Sequence, residues 1–269
     1  MEIDRRAFFA SLGGVAVVNA MDPEAKAEAL EHYMSDALDL SLAGEPTAEQ
    51  VVPAPPEATV RRGAGSLFTP QGPQNDRKMP LLAPMPEKPT LVDFYKLRFA
   101  PANHVLQSAT RALKTGMTEE VILACLLHDV VQNLIKVDHG WWGAQMIEPY
   151  VNEKISWAIR YHQALRFYPD SSVGYEYPEL YTRLYGQDYV PPQYIKDSYE
   201  LARKHKWYME ARLITVNDLY AFDPNAKVSL DPFIDIIGRH FKQPKEGLGF
   251  DGSPTAHMWR TMMFPDNPL

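Results

Sequence analysis

Between Val121 and Val131 the chain runs almost unbroken through apolar residues, and inside that run stand His128 and Asp129. Burying an imidazole beside a carboxylate is costly unless something replaces the lost water, and a metal ion is the usual replacement for that pair. A His-Asp dipeptide also occurs by chance, so the weight falls on its companions. Of the eight histidines, His104, His128, His139 and His162 fall within 59 residues, each in or beside a predicted helix. His104 precedes His128 by 24 positions and His162 follows His139 by 23. Such spacings suit ligands carried on neighbouring antiparallel helices of a bundle. Asp218 lies in Ile214-Thr215-Val216-Asn217-Asp218-Leu219-Tyr220, a helical and largely apolar stretch, and is a further acid that needs a partner.

The rest of the composition bounds what can surround these residues. A chain of 269 residues, 45% hydrophobic and 23% charged, can bury one sizeable core. A net charge of −7 argues against a nucleic-acid backbone as partner and leaves room for a small anionic substrate held by local cations. The one cysteine, Cys125, excludes an internal disulfide and a thiolate cluster, and its apolar neighbours make it a packing thiol.

Along the chain, Asp4-Arg5-Arg6-Ala7-Phe8-Phe9 opens a short apolar stretch that resembles a twin-arginine export signal over residues 1–21. Export to the periplasm is the expectation, with a cytoplasmic protein as the alternative; the stretch is too short to span a bilayer. Residues 22–90 read as one helix (22–42) and a Pro-rich arm, with nine prolines between Pro53 and Pro89. From 91 to 245 the pattern predicts an all-α bundle. Helices are expected from Thr90 or Leu91, from Asn103 as a cap to Gly116, from Glu119 to about Leu134, and over 140–149, 153–167, 192–204, 206–222 and 231–241. Trp141 and Trp142 are read as core rings, with a pocket wall as the alternative. The tail 246–269, rich in Met and Trp, is expected to pack back on the core.

The order His104, His128-Asp129, His139, His162, Asp218 resembles the HD-domain superfamily, and more narrowly its mixed-valent di-iron oxygenase branch, which includes myo-inositol oxygenase and 2-amino-1-hydroxyethylphosphonate dioxygenase. His104-Val105-Leu106-Gln107-Ser108-Ala109 is similar to the first-histidine helix of the phosphonate enzyme. Ile159-Arg160-Tyr161-His162, Phe167-Tyr168-Pro169 and Asp218-Leu219-Tyr220 resemble segments of the inositol enzyme. The resemblance covers roughly residues 91–225. It implies an HD-domain helical bundle holding two iron ions in the Fe(II)/Fe(III) state, with manganese or magnesium as alternatives. His104, His128, Asp129 and Asp218 would hold one ion, His139 and His162 the other, with Asp129 bridging. O2 and a small molecule would be the partners.

Arg166 follows His162 by one helical turn and so shares its face, where a cation would hold a phosphonate, phosphate or carboxylate; the alternative is a surface ion pair. Gln132, one turn beyond the His-Asp pair, would hydrogen-bond a substrate hydroxyl. Tyr95 corresponds by resemblance to a tyrosine that covers the metal, with core packing as the alternative. The family departs from this chain at Gln132 and Phe222, where the inositol enzyme has lysines, and in the short step of 11 positions from His128 to His139. Three readings follow: a di-iron oxygenase, a metal-dependent phosphohydrolase of the same ligand set, and a non-catalytic HD binding module.

Overall fold

The computed structural model describes residues 82–99, 102–132, 134, 135, 138–186 and 188–265, together with Tyr33, Met34 and Leu38. The export segment, most of the 22–42 helix and most of the Pro-rich arm therefore lie outside the described residues. Those that are described fold as α-helices joined by short turns: α1 (Leu91–Leu97), α2 (Asn103–Lys114), α3 (Glu119–Leu127), α4 (His139–Ile147), α5 (Glu153–Leu165), α6 (Glu179–Tyr185), α7 (Gln193–Ala202), α8 (Tyr208–Leu219), α9 (Ile234–His240) and α10 (Ala256–Met263). No strand occurs among them, as the periodicity predicts for an all-α chain; a single antiparallel bridge, Asp170 to Tyr175, pins the turn after α5.

Local chemistry sets the helix starts. Thr90 accepts from the Asp93 backbone N–H while the Asp93 carboxylate accepts from that of Thr90, a reciprocal cap worth about 1 kcal/mol. Thr118 caps α3 through the Val121 N–H, and Gly116 (φ 71°) turns the chain between α2 and α3. Asn103 is the first residue of α2 rather than its cap; Ala102 precedes it and makes no side-chain bond.

One boundary differs from expectation in a way that matters. The helix expected to run from Glu119 to about Leu134 stops at Leu127. The His128 Nδ1 lies 2.7 Å from the Cys125 carbonyl, the oxygen that the Asp129 N–H would occupy in a continuing helix. Tighter turns follow, with Val130 N–H on Leu127 O and Gln132 N–H on Asp129 O. The His-Asp pair thus sits at a helix terminus, not within a helix.

α5 occupies the middle of the bundle, packed against α3, α4, α7 and α8, while α2 lies against α3 and α8. Leu123, Leu126, Leu127, Ile147, Ile159 and Ile214 fill the space between them, each fully buried. At ~1.5–3 kcal/mol per side chain removed from water, such residues supply most of the drive that holds these helices together. Two polar ties fix α8 on α5: the Thr215 hydroxyl donates to the His162 carbonyl (2.7 Å) and Arg212 Nη1 donates to the Leu165 carbonyl (2.9 Å). α10 delivers Trp259 and Met263 into the same core, where Trp259 meets Phe94 edge-on at 5.3 Å. Trp141 and Trp142 do not join it. The inner face of α4 is taken by His139, Gly143, Ala144, Met146 and Ile147, which leaves the two indoles 38% and 40% exposed.

Candidate metal centre

Six side chains from five places in the chain meet at one buried point. His104 comes from the first turn of α2, His128 and Asp129 from the end of α3, His139 from the first position of α4, His162 from α5 and Asp218 from α8. All six are buried. His104 Nε2 lies 2.8 Å from Asp218 Oδ1 and 3.5 Å from Asp129 Oδ2. His128 Nε2 is 3.5 Å from oxygens of both carboxylates, and His139 Nε2 is 3.0 Å from Asp129 Oδ1. His104, His128 and Asp218 form one group able to hold a cation; His128, Asp129 and His162 form a second that shares His128.

The outer nitrogens explain the aim of the rings. His128 Nδ1–H donates to Cys125 O, His162 Nδ1–H to Ile159 O (2.6 Å) and His104 Nδ1–H to Ala221 O (3.2 Å). In His128 and His162 a proton held on Nδ1 leaves the Nε2 lone pair pointing inward, the usual outer support of a ligating imidazole, whereas His104 Nε2 donates to Asp218 Oδ1 and would give up that proton to a metal. The Nε2 atoms of His128 and His162 are buried with no hydrogen-bond partner among the described residues. Two inward lone pairs without protons to meet, beside two carboxylates, fit a divalent or trivalent cation with nitrogen and oxygen ligands.

Charge within the site agrees with that reading. Burial alone would lower His104, yet the Asp218 carboxylate, helped by Asp129, raises it to about 9. Burial would raise Asp129 and Asp218, but the surrounding imidazoles hold both below the ordinary carboxylate range. His162 is pushed well below its usual value by burial and by His128 and His139, and so stays neutral. Two buried carboxylates demand positive charge, and a metal supplies it without protonating its own ligands.

The other residues singled out from the sequence fall around this cluster. Tyr95 is buried, with its hydroxyl donated to the Leu126 carbonyl and its ring among Phe94 and Phe99. Burial and the nearby Asp129 charge push its phenol well above the ordinary value. Gln132 is buried in the turn after Asp129. Arg166 ends α5 with 2% exposure, so it is not the surface cation of the alternative reading; its charge helps to depress His162. On the outer side a groove of about 300 Å³, lined by Asp138, Trp141, Arg160, Tyr161, Gln163 and Tyr194, reaches in as far as Gln163.

Three contributors were not foreseen. Phe222, read only as a missing lysine, stacks on the His104 ring at 4.3 Å. Thr215 ties the His162 turn to α8. Gln163 touches both His139 and Gly140. Thr215 carried a faint signal, one turn before Asp218 on the same helix face; the other two depend on helix crossings that no local pattern reports.

No family model matches the chain. It is similar to (1-hydroxy-2-(trimethylamino)ethyl)phosphonate dioxygenase (glycine-betaine-forming) from Leisingera caerulea, with 32% identity over 94 residues. The match covers 31% of this chain and 46% of that enzyme, so the chain spans about half the length of its curated relative. The likeness is to part of a dioxygenase, and the described residues include buried His/Asp groups that could hold a metal ion. No helix among the described residues is long and apolar enough to cross a membrane.

Proposed function

We propose that this protein is a di-iron oxygenase that oxidises or cleaves a small polar or anionic substrate with O2. The observation that carries the reading is the convergence of four imidazoles and two carboxylates in one buried cluster, with two inward nitrogens that have no hydrogen-bond partner among the described residues. The likeness to a phosphonate dioxygenase favours oxygen chemistry over hydrolysis on that ligand set. Mixed-valent iron, when bound, supplies O2 activation and removal of a hydrogen from a substrate carbon.

This chain's residues then have separate tasks. His104, His128, Asp129, His139, His162 and Asp218 hold the metals, with Asp129 between them. Arg166, one turn past His162 and buried, gives a charge-assisted contact to a phosphonate, phosphate or carboxylate. Gln132 offers its amide to a substrate hydroxyl. Tyr95, anchored on Leu126, closes the wall beside Asp129 and keeps water out.

The test is anaerobic reconstitution with iron, followed by metal analysis and electron paramagnetic resonance. Two irons per chain and a coupled Fe(II)/Fe(III) signal perturbed by (1-hydroxy-2-(trimethylamino)ethyl)phosphonate, or by a simpler hydroxyphosphonate, support the reading. Stoichiometric magnesium or manganese, turnover of a phosphodiester and no O2 uptake would replace it with a phosphohydrolase. Arg166→Ala should raise KM for an anionic substrate; unchanged kinetics would remove Arg166 from the site.

A further inference from the structure

The groove on the outer side of α5 takes no part in holding the metals. α4 and α7 both pack on α5, and the groove of about 300 Å³ runs between them. α4 supplies Trp141, α7 supplies Tyr194, and α5 between them supplies Arg160, Tyr161 and Gln163. None of the six cluster residues lines it, and Gln163 stands between its inner end and His139. Large rings face the water here: Trp141 is 38% exposed and Tyr194 47%. Trp142 meets Trp141 edge-on at 4.7 Å and so steadies that indole. The Arg160 guanidinium lies 5.7 Å from the Trp141 ring centre and 5.7 Å from that of Tyr161. Arg160 is exposed and makes no ion pair among the described residues, so rings rather than an acid hold its charge in place. A steadied cation among aromatic rings complements a ligand with an anionic end and a flat face.

We propose that this groove is a ligand site separate from the metal centre, and that it takes a small planar aromatic monoanion such as an aryl carboxylate. Size limits the ligand: the groove stands at the lower end of the roughly 300–1,000 Å³ spanned by small-molecule sites, which suits one or two rings. The ligand ring lies between Trp141 and Tyr194, and its carboxylate accepts from the Arg160 guanidinium, whose fork matches a carboxylate. Ser198 on α7 adds a hydroxyl to the same lining. Asp138, at the head of α4, stands in the groove as well, and its carboxylate repels a second negative charge. One negative charge is therefore favoured over a phosphate dianion. An amide of the same shape loses the ion pair, and a saturated acid of the same size loses the flat face. The proposal depends neither on which metal the cluster holds nor on the oxygenase reading.

Isothermal titration of the full-length, iron-loaded protein with phenylacetate tests this. Phenylacetamide and cyclohexylacetate serve as the uncharged and the non-aromatic counterparts of matched size. The expected result is saturable single-site binding of phenylacetate, with each counterpart weaker by about five-fold or more. Arg160→Gln and Trp141→Leu should each weaken phenylacetate by a similar factor. Both side chains are exposed, so thermal unfolding of the variants should match the wild type. Removing the metal with a chelator should leave the affinity within about two-fold, because no cluster residue lines the groove. Lack of saturation by about 20 mM phenylacetate, a weak limit even for so small a ligand, overturns the proposal. Equal affinity for the acid and either counterpart, or an affinity unchanged in either variant, overturns it too. Binding that vanishes with the metal places the acid on the metal itself; it overturns the groove site and leaves the metal centre standing.

Discussion

Gly140 and His162 approach so closely that a Cβ on Gly140 would lie 2.8 Å from the His162 Cε1, as well as 2.9 Å from the Ile159 carbonyl oxygen. Here α4 runs close against α5, and the backbone oxygen cannot move aside as a flexible side chain would. Gly140→Ala should therefore push the two helices apart, lower stability by about 1–3 kcal/mol and reduce bound metal. Gly143, one turn on, is the control: its Cβ would meet nothing nearer than 3.6 Å. Gly143→Ala should be neutral or stabilising by up to about 1 kcal/mol through helix propensity. Thermal unfolding of both variants checks the pair; equal losses would show that the close approach at Gly140 is not what matters.

Thr215 hangs the His162 turn from α8. Its hydroxyl donates to the His162 carbonyl, which ties the element carrying Asp218 to the one carrying His162. Thr215→Val keeps the shape and removes the bond, at an expected cost of about 1 kcal/mol. The accompanying sign should be faster metal release, because the imidazole is no longer braced from α8. Chemical denaturation and chelator kinetics on the same variant separate the two effects, and unchanged release would confine Thr215 to a stabilising role.

Much of this arrangement was legible in the chain, for identifiable reasons. The all-α bundle follows from helical spacing of apolar residues and from caps such as Thr118 and Gly116, whose chemistry is local. The six cluster residues were singled out by a His-Asp pair in an apolar run, by the spacing of the other histidines and by the family resemblance, and the structure brings their side chains to one buried point. What failed was whatever depended on a crossing. Gln163 and Gly140 stand 23 residues apart, and nothing near either announces the contact. Trp141 and Trp142 looked like core because of size, yet the inner face of α4 was already filled by smaller residues. The helix end at His128 was missed because it falls inside an unbroken apolar run; there the His128 ring nitrogen meets the Cys125 carbonyl. α6 was not foreseen either; it is short and flanked by prolines and glycine.

The start of α3 is fastened to α9 by an ion cluster that gives a defined acid response. Hydrogen bonds from Arg239 and His240 lower the Glu119 carboxyl from 4.5 to about 2. A carboxyl depressed in the folded state adds stability that is fully present above its unfolded value and is lost as the pH falls through its folded value. The window is thus roughly pH 4.5 down to 2. Because Glu119 is exposed, the effect is modest and screened by salt. Glu119→Gln should lower the midpoint of thermal unfolding at pH 6, with the difference from wild type shrinking as the pH approaches 2. A difference that persists unchanged at pH 2 would show that the charge is not its source.

Metal should stabilise the fold, since the cluster exists only when five chain segments are assembled. A ligand that binds the folded state alone adds RT ln(1 + [L]/Kd), ~2.7 kcal/mol at a hundred-fold excess over Kd. For a chain of this size that is a rise of several degrees in the midpoint of unfolding. His128 is shared by both cation-holding groups, so His128→Ala should abolish most of the rise. His257 is exposed and remote in sequence from the cluster, so His257→Ala should keep all of it. Differential scanning fluorimetry with and without ferrous iron under nitrogen measures the four states. Equal metal-induced shifts in the two variants would place the bound metal somewhere other than the His/Asp cluster.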